Sequence, residues 1–532
     1  MWYFLSVSTE TWTLIAILFA LFMWYGYAPY GFFKKLGIQG PKPLPFIGTF
    51  LEYKRGLFIF DNDCYQKYGD VWGLFDGRLP VMGVMDTAMI KTILVKECYS
   101  VFTNRRDFGL NGELHDAVTT VEDNEWKRIR STLSPSFTSG RLKDMFKIMT
   151  QHSRNLVKFL QKKVDSDEVL EVKEIFGAYS MDVVASSAFS VDIDSINQPN
   201  DPLVVNIKKL LKFNLLSPLL ILVVLFPFMR PLLEKCKVSF LPAGAMKFFY
   251  SFLRKIKAER SKNVHNTRVD LMQLMVDSQI PQDHSSKEAA HKGSLPQASR
   301  NKLGEFWPIP PDRAGITESG LTDHEILSQA LTYIFGGYET SSSTLGYLSY
   351  NLATNPDVQA ALQDEIDKIF PDKAPPTYEG LMQMEYLDMV INETLRVYPI
   401  ISRLERVAKA TVEVNGVTIP KGTVVMIPIM VLHHHPTHWP KPEVFRPERF
   451  SKENRENIDP YTFLPFGMGP RNCIGMRFAL QTIKLVIVEI LQNFSFVTCK
   501  ETEVPLELFD NGFVAPTKPI KLKLVPRVLA PS

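Results

Sequence analysis

The 23 residues TWTLIAILFALFMWYGYAPYGFF, 11–33, carry no charge. In hydrocarbon every backbone N–H and C=O must be satisfied within the segment, so such a run can only cross a bilayer as a helix. At 1.5 Å per residue it covers the ~30 Å of a bilayer core. Trp12 and Trp24–Tyr25 fall where interfacial aromatics belong. A cleaved signal peptide has an apolar core of about 7–15 residues behind a basic start. Here Glu10 precedes the run and no basic residue does. Residues 1–33 are therefore expected to stay as a membrane anchor. Lys34 and Lys35 follow, which by the positive-inside rule predicts an outside N-terminus and a cytosolic body. Pro41, Pro43 and Pro45 then alternate, so 34–48 reads as a stiff, basic, extended connector.

The remaining body, 49–528, is long enough to bury a large core. Lys+Arg is 60 against Asp+Glu 57, a net +3 with no basic block, so nucleic acid is not an expected partner. The five cysteines, Cys64, Cys98, Cys236, Cys473 and Cys499, are scattered and odd in number, which argues for a reducing compartment. Helical spacing dominates 85–400. VWGLFDGRLPVMGV reads as a hairpin turning at Asp76–Gly77, ATVEVNGVTIPKGTVVMI as another turning at Asn415–Gly416, and PIKLKLVP as a strand. Leu215 to Met229 is apolar but broken by Pro218 and Pro227. It fits either core or a surface patch dipping into the bilayer. Residues 281–320 are polar, rich in proline and serine, and read as a disordered surface insertion.

Thr322 with Glu325 makes a capping box for a helix that Asn355–Pro356 should end. In its middle sits GGYETSS, 336–342. Adjacent glycines cost a helix roughly 1 kcal/mol each against alanine; they permit close approach of something bulky. Glu339 and Thr340 place an acid and a hydroxyl in this apolar segment. A kinked core helix with a polar side on a water pocket would look the same. Further on, Glu393 and Arg396 share one helix face at i, i+3, and Arg449 lies in the RPERF loop. If the three meet, they form a charge cluster that locks the approach to the next segment. LHHHPTHW holds His433, His434, His435 and His438. Adjacent histidines on an extended segment point to opposite faces, and zinc is the less favoured reading.

That next segment is FLPFGMGPRNCIGM, 463–476. A thiol kept as thiolate needs donors and positive charge nearby. Small residues let backbone N–H groups reach the sulfur of Cys473, and Gly469 and Gly475 leave room for a flat macrocycle. Thiolate ligation of haem iron favours O–O cleavage. The pattern F-x-x-G-x-R-x-C-x-G is met at Phe466, Gly469, Arg471, Cys473 and Gly475. At about one in twenty per fixed position, chance produces it in this length with a probability on the order of 10⁻⁴.

At these residues the chain resembles the cytochrome P-450 superfamily. GGYETS, ETLR, PERF and FGMGPRNCIG occur in the family's order, and EWKRIR supplies its W-x-x-x-R pair as Trp126 and Arg130. LSPSFTSGRLK and RNCIGMRFAL are similar to the third family, subfamily A, the drug- and steroid-oxidising type. The likeness runs from about 34 to 528 outside 281–320, where relatives have a much shorter connector. It implies a mainly α fold, a helical triangular prism with a minor β region around a buried haem b, whose axial ligand is Cys473. It implies that Arg105, Trp126, Arg130, Arg403 and Arg471 hold the propionates, with Phe466 in the haem loop, and that Glu339 and Thr340 relay protons. Phe108, Thr119, Lys212, Phe335, Gly336, Ile400, Ile401 and Phe513 match positions lining a substrate pocket, and relatives usually carry alanine at Gly336. The implied activity is a monooxygenase on lipophilic substrates (steroids, drugs, other xenobiotics) at the endoplasmic reticulum membrane. Its electrons come from NADPH through a cytochrome reductase docking near Lys127, Arg128 and Arg477, and a b-type cytochrome is a further possible donor. A reductase-independent haem-thiolate isomerase acting on a peroxide and a non-catalytic haem sensor or carrier are the alternatives.

Overall fold

The computed structural model describes residues 9–211, 217–262, 270–280, 320–510 and 512–527. The apolar run forms α1 (Thr9–Tyr27) and continues through short turns to Lys35. Among the described residues it is the one helix long and apolar enough to cross a membrane. Its side chains face outward, with Trp24 68% exposed, as a lipid-facing helix requires. The proline-rich connector folds back on it: Phe46 meets Phe22 at 4.3 Å between ring centroids.

The body is built from α2 (Asp123–Leu133), α3 (Ser139–Asp165), α4 (Val172–Phe189), α5 (Pro218–Leu225), α6 (Ala243–Lys262), α7 (Asp323–Thr354), α8 (Glu385–Val397) and α9 (Met476–Asn493). α7 runs through the core against α4, α6, α8 and α9. Its capping box forms as the sequence predicts, with Thr322 N–H donating to Glu325 at 2.8 Å and Glu325 N–H to Thr322 Oγ1 at 3.2 Å. Its 32 residues end at Thr354, capped by Asn355 before Pro356, giving a rod about 48 Å long. Leu327, Leu331, Ile334, Leu345, Leu348 and Leu352 bury its apolar side.

A four-stranded sheet packs beside this helical mass. Its strands are β1 (Val71–Asp76), β2 (Leu79–Val84), β3 (Arg403–Val407) and β4 (Val424–Pro428), in the order β1-β2-β4-β3. β2 and β4 are parallel; the other pairs are antiparallel. The first hairpin turns at Gly77–Arg78, one residue beyond the expected Asp76–Gly77. Asp76 stays in the strand because Tyr53 Oη and Arg106 bind its carboxylate. The second turns at Asn415–Gly416 as predicted, both residues left-handed at φ 50° and 78°, the backbone that a two-residue turn of this kind demands. The C-terminal strand, Lys521–Pro526, pairs with Phe494–Thr498 and Leu170–Glu171.

Of the apolar stretch 215–229, residues 217–229 are described, partly buried and partly exposed. On α5, Leu220 and Val223 are buried, whereas Phe228 just beyond is 67% exposed and lies 6.2 Å from Tyr25 at the end of α1. The expected insertion falls, but for Gly320, outside the described residues. Its flanks meet: Ile280 N–H donates to Leu321 O and Leu321 N–H to Ser278 O, both at 2.9 Å.

Candidate haem-thiolate site

The cysteine loop is tied at both ends. Cys473 N–H donates to Phe466 O at 2.9 Å, and Asn472 N–H to Gly469 O at 3.1 Å. Gly469 has φ 77°, and a Cβ there would collide with the Leu94 carbonyl, so only glycine fits this turn. Protein surrounds Cys473 on nearly all sides, yet its side chain is accessible. Burial pushes its thiol pKa up, and the Gly475 amide, Arg130 and Arg105 pull it back down. Arg130 grips the loop from α2, donating to Asn472 O and Oδ1 at 3.0 Å each. Arg105 Nη2 reaches Arg471 O at 3.3 Å.

Three buried guanidiniums, Arg105, Arg406 and Arg471, gather near one another beside the cysteine loop with no carboxylate paired to them among the described residues. Arg471 donates to the carbonyls of Thr103, Thr119 and Val121, and its guanidinium lies 4.9 Å from the Trp126 ring. Its pKa is pushed down to about 9 by burial and by Arg105 and Arg406. Arg406 is likewise pushed to about 9 by burial and Arg105. The Nε atoms of Arg406 and Arg471 have no hydrogen-bond partner. Such a group is complete only when an anion joins it.

The third arginine here is Arg406, where the sequence reading put Arg403. Arg403 donates to Asp61 through Nε at 2.7 Å and Nη2 at 2.6 Å, with Tyr53 4.7 Å away. Side chains alternate across a strand. Leu404 on β3 faces the cysteine loop, 3.7 Å from where a Gly467 Cβ would lie. Arg406 therefore shares the Leu404 side, and Arg403 and Glu405 point away, Glu405 to Arg106.

On α7, Gly336 is accessible and a Cβ there would meet nothing within 4 Å. Thr340 Oγ1 donates to Gly336 O at 2.7 Å. Glu339 turns toward α4: Lys173 Nζ donates to its Oε1 at 2.8 Å and Ser343 Oγ at 3.3 Å. Phe335 meets Phe513 edge-on at 6.5 Å, and Val514 N–H donates to Ile400 O while Ile401 bridges to Phe513. These four pocket candidates thus come together. Phe108 packs under Arg106 at 4.5 Å, and Thr119 contributes its carbonyl to Arg471. Lys212 lies outside the described residues.

Glu393, Arg396 and Arg449 meet in the core. Arg396 donates to both Glu393 oxygens at 2.7 and 2.8 Å, and Arg449 Nε to Oε1 at 3.1 Å. Arg396 also donates to His433 O at 2.9 Å, and His433 Nε2 accepts from Leu464 N–H at 2.9 Å. The knot therefore reaches the segment that carries Cys473. Of the other histidines of LHHHPTHW, His434 turns to Met430 O and His435 to Tyr65 Oη, with the His438 ring 4.9 Å from that of His435. Of the expected basic docking residues, Arg477 is exposed but Arg128 is turned inward onto Glu325 and Gly320 O.

A family model for cytochrome P450 matches residues 38–300 and 312–524. Cytochrome P450 3A27 of Oncorhynchus mykiss is 58% identical over 525 residues, covering 99% of this chain and 96% of that protein. Cytochrome P450 3A2 of Rattus norvegicus is 52% identical over 522 residues, 98% of each. With a helical core, a small sheet and a glycine-framed cysteine loop beside buried arginines, the chain belongs to the cytochrome P450 family, binds haem b and is a monooxygenase.

Proposed function

We propose that Cys473 is the axial ligand of the haem and that Arg105, Arg130, Arg406 and Arg471, with Trp126, receive its propionates. The observation that carries this reading is the pairing of an accessible, amide-supported thiol with buried guanidiniums that no carboxylate neutralises. The donor set fits the group: a soft anionic sulfur for iron and planar cations for carboxylates. When bound, thiolate-ligated haem supplies the oxygen-activating chemistry.

The chain's own residues do the rest. The Gly475 amide and two guanidiniums oppose the burial that raises the Cys473 thiol, and so favour negative charge on Sγ. Phe335, Ile400, Ile401 and Phe513 offer an apolar wall that keeps water out and suits lipophilic substrates, steroids, drugs and other xenobiotics among them. Gly336 leaves space that a side chain would fill. Thr340 Oγ1 accepts a proton from one side and, on releasing Gly336 O, donates on the other. Glu339 Oε1 is supplied through Lys173 and Ser343. Electrons come from NADPH through a cytochrome reductase, with Arg477 and Lys127 on the docking face and a b-type cytochrome as a further donor. α1 and the apolar edge at Phe228 hold the body on the cytosolic face of the endoplasmic reticulum membrane.

Two measurements test this. Reduced protein with carbon monoxide should give the red-shifted Soret band of thiolate-bound haem, and Cys473→His should abolish it; a retained band refutes the ligand assignment. Thr340→Ala should keep that band and substrate binding, but lower product formed per NADPH by roughly tenfold or more while peroxide is released. Unchanged coupling, together with turnover of an organic peroxide without reductase, would favour the isomerase instead.

A further inference from the structure

Far from the cysteine loop in sequence, the segment 112–118 lies against the first turns of α7. Its backbone is pinned there: Tyr250 Oη and Ser328 Oγ donate to Glu113 O at 2.6 and 2.8 Å, Gln329 Nε2 donates to Asp116 O at 2.6 Å, and Val118 N–H donates to Gln329 Oε1 at 2.7 Å. This places His115, Asp116 and Glu113 beside His324 on α7.

The imidazoles are oriented from behind. His115 Nδ1 faces Gly112 O at 2.9 Å, and His324 Nε2 faces Glu113 Oε2 at 2.9 Å. Each contact is a hydrogen bond when that nitrogen carries the proton, which leaves the opposite nitrogen of a neutral ring as a lone pair. Those two nitrogens, His115 Nε2 and His324 Nδ1, both face Asp116, at 3.0 Å from Oδ1 and 2.6 Å from Oδ2. At these distances a shared proton bridges each ring to Asp116, and a cation held among the three side chains would take the place of those protons. Ligand atoms of His115, Asp116 and His324 all lie within 4.8 Å of one another. A backing carbonyl on one imidazole and a backing carboxylate on the other is the arrangement that orients metal-binding histidines.

We infer that His115, Asp116 and His324 form a site for one divalent transition-metal ion of the zinc type. Two imidazoles and a carboxylate match the preferences of zinc, which takes N and O ligands at about 2.0–2.2 Å and leaves a fourth position for water. Glu113 lends negative charge and holds the His324 ring. His115 is exposed, so the site is open to solvent for entry, and its side chain can close the remaining gap. The ion clasps the 112–118 segment to α7, and that segment leads directly to Thr119, whose carbonyl accepts from Arg471.

The test uses the full-length, haem-loaded protein in detergent at pH 7.5. It is stripped with a chelator, dialysed against micromolar zinc chloride, and its metal is counted against haem iron. One zinc per haem is expected. His115→Ala and Asp116→Asn should each weaken binding about tenfold or more, since a ligand is lost, with the carbon monoxide spectrum unchanged as the check on folding. His438→Ala should leave zinc binding as it is. Zinc should also slow amide exchange over 112–118. No zinc retained by the unaltered protein, or equal zinc in the unaltered and His115→Ala proteins, overturns the inference.

Discussion

Two groups of buried arginines stand within this fold, and they are finished differently. Around Glu393, Arg396 and Arg449 find a shared carboxylate and the carbonyls of His433, Pro440, Lys441 and Pro442. Around Cys473, Arg105, Arg406 and Arg471 find carbonyls and each other, and among the described residues no carboxylate hydrogen-bonds to them, Glu122 acting on Arg471 only from a distance. A buried charge without a partner costs several kcal/mol. The first group is thus complete within the chain and belongs to its stability. The second lacks such a partner, and on the proposed reading an external anion, the haem propionates, completes it. The same residue type, at similar depth, separates structure from function by what surrounds it.

Breaking the finished group should give the largest effect. Glu393→Gln keeps the shape but leaves two buried guanidiniums facing a neutral amide. The expected loss is about 3–5 kcal/mol, a large part of the roughly 5–15 kcal/mol that holds a domain together. Urea midpoint and the haem-containing fraction on expression should both fall sharply. An unchanged midpoint would mean that the knot is dispensable and the contrast is false.

The unfinished group should respond in the opposite sense. Arg406→Leu removes a repelled charge, so unfolding should change little while haem passes to apomyoglobin about tenfold faster, a loss near 1.4 kcal/mol. Arg403→Leu should do the reverse. It strands Asp61, whose carboxyl burial already pushes up to about 6 despite its arginine, so stability drops and haem transfer is little altered. If Arg403→Leu loses haem faster and Arg406→Leu does not, the assignment on β3 must be exchanged.

That assignment marks where the sequence stops being readable. Local signals carried well: the Thr322–Glu325 box, the Asn415–Gly416 turn and the i, i+3 pair Glu393–Arg396 each depend on neighbours a few residues away. The cysteine loop was legible because glycines, Arg471 and Cys473 lie in one run. Arg403 and Arg406 differ only in which face of β3 they occupy, and that face is set by pairing with β4, Arg403 opposite Pro428 and Arg406 opposite Val425. The turn of Glu339 toward Lys173, 166 residues away, and the meeting of Asp116 with His324, 208 residues away, are likewise products of packing. Arg128 read as a surface charge because its partner, Glu325, was already spoken for by the helix cap.

The smallest expected effect concerns pH and sharpens the contrast once more. His433 couples the finished group to the cysteine segment, and burial, His434 and Arg396 push its pKa down to about 3. The folded value lies below the ~6.5 of an unfolded histidine. At pH 7 the folded state is neutral and the unfolded one mostly so, and most of its contribution is present. As pH falls through 6.5 the unfolded chain takes up a proton that the folded one refuses, so stability declines until about pH 3. Between pH 7 and 5.5 the loss amounts to about 1 kcal/mol. Asp182, its carboxyl pushed up to about 7 by burial, works in the other direction, because a raised carboxyl favours the folded state at low pH. The measurement is therefore a difference: urea unfolding at the two pH values for the unaltered protein and for His433→Gln. Glutamine still offers an acceptor to Leu464 N–H but does not titrate, so the variant should lose about 1 kcal/mol less on acidification. The arginines around Cys473 do not change charge in this window, and Arg406→Leu should leave the slope as it was. Equal slopes for the unaltered and His433→Gln proteins would show that His433 is not held neutral in the fold.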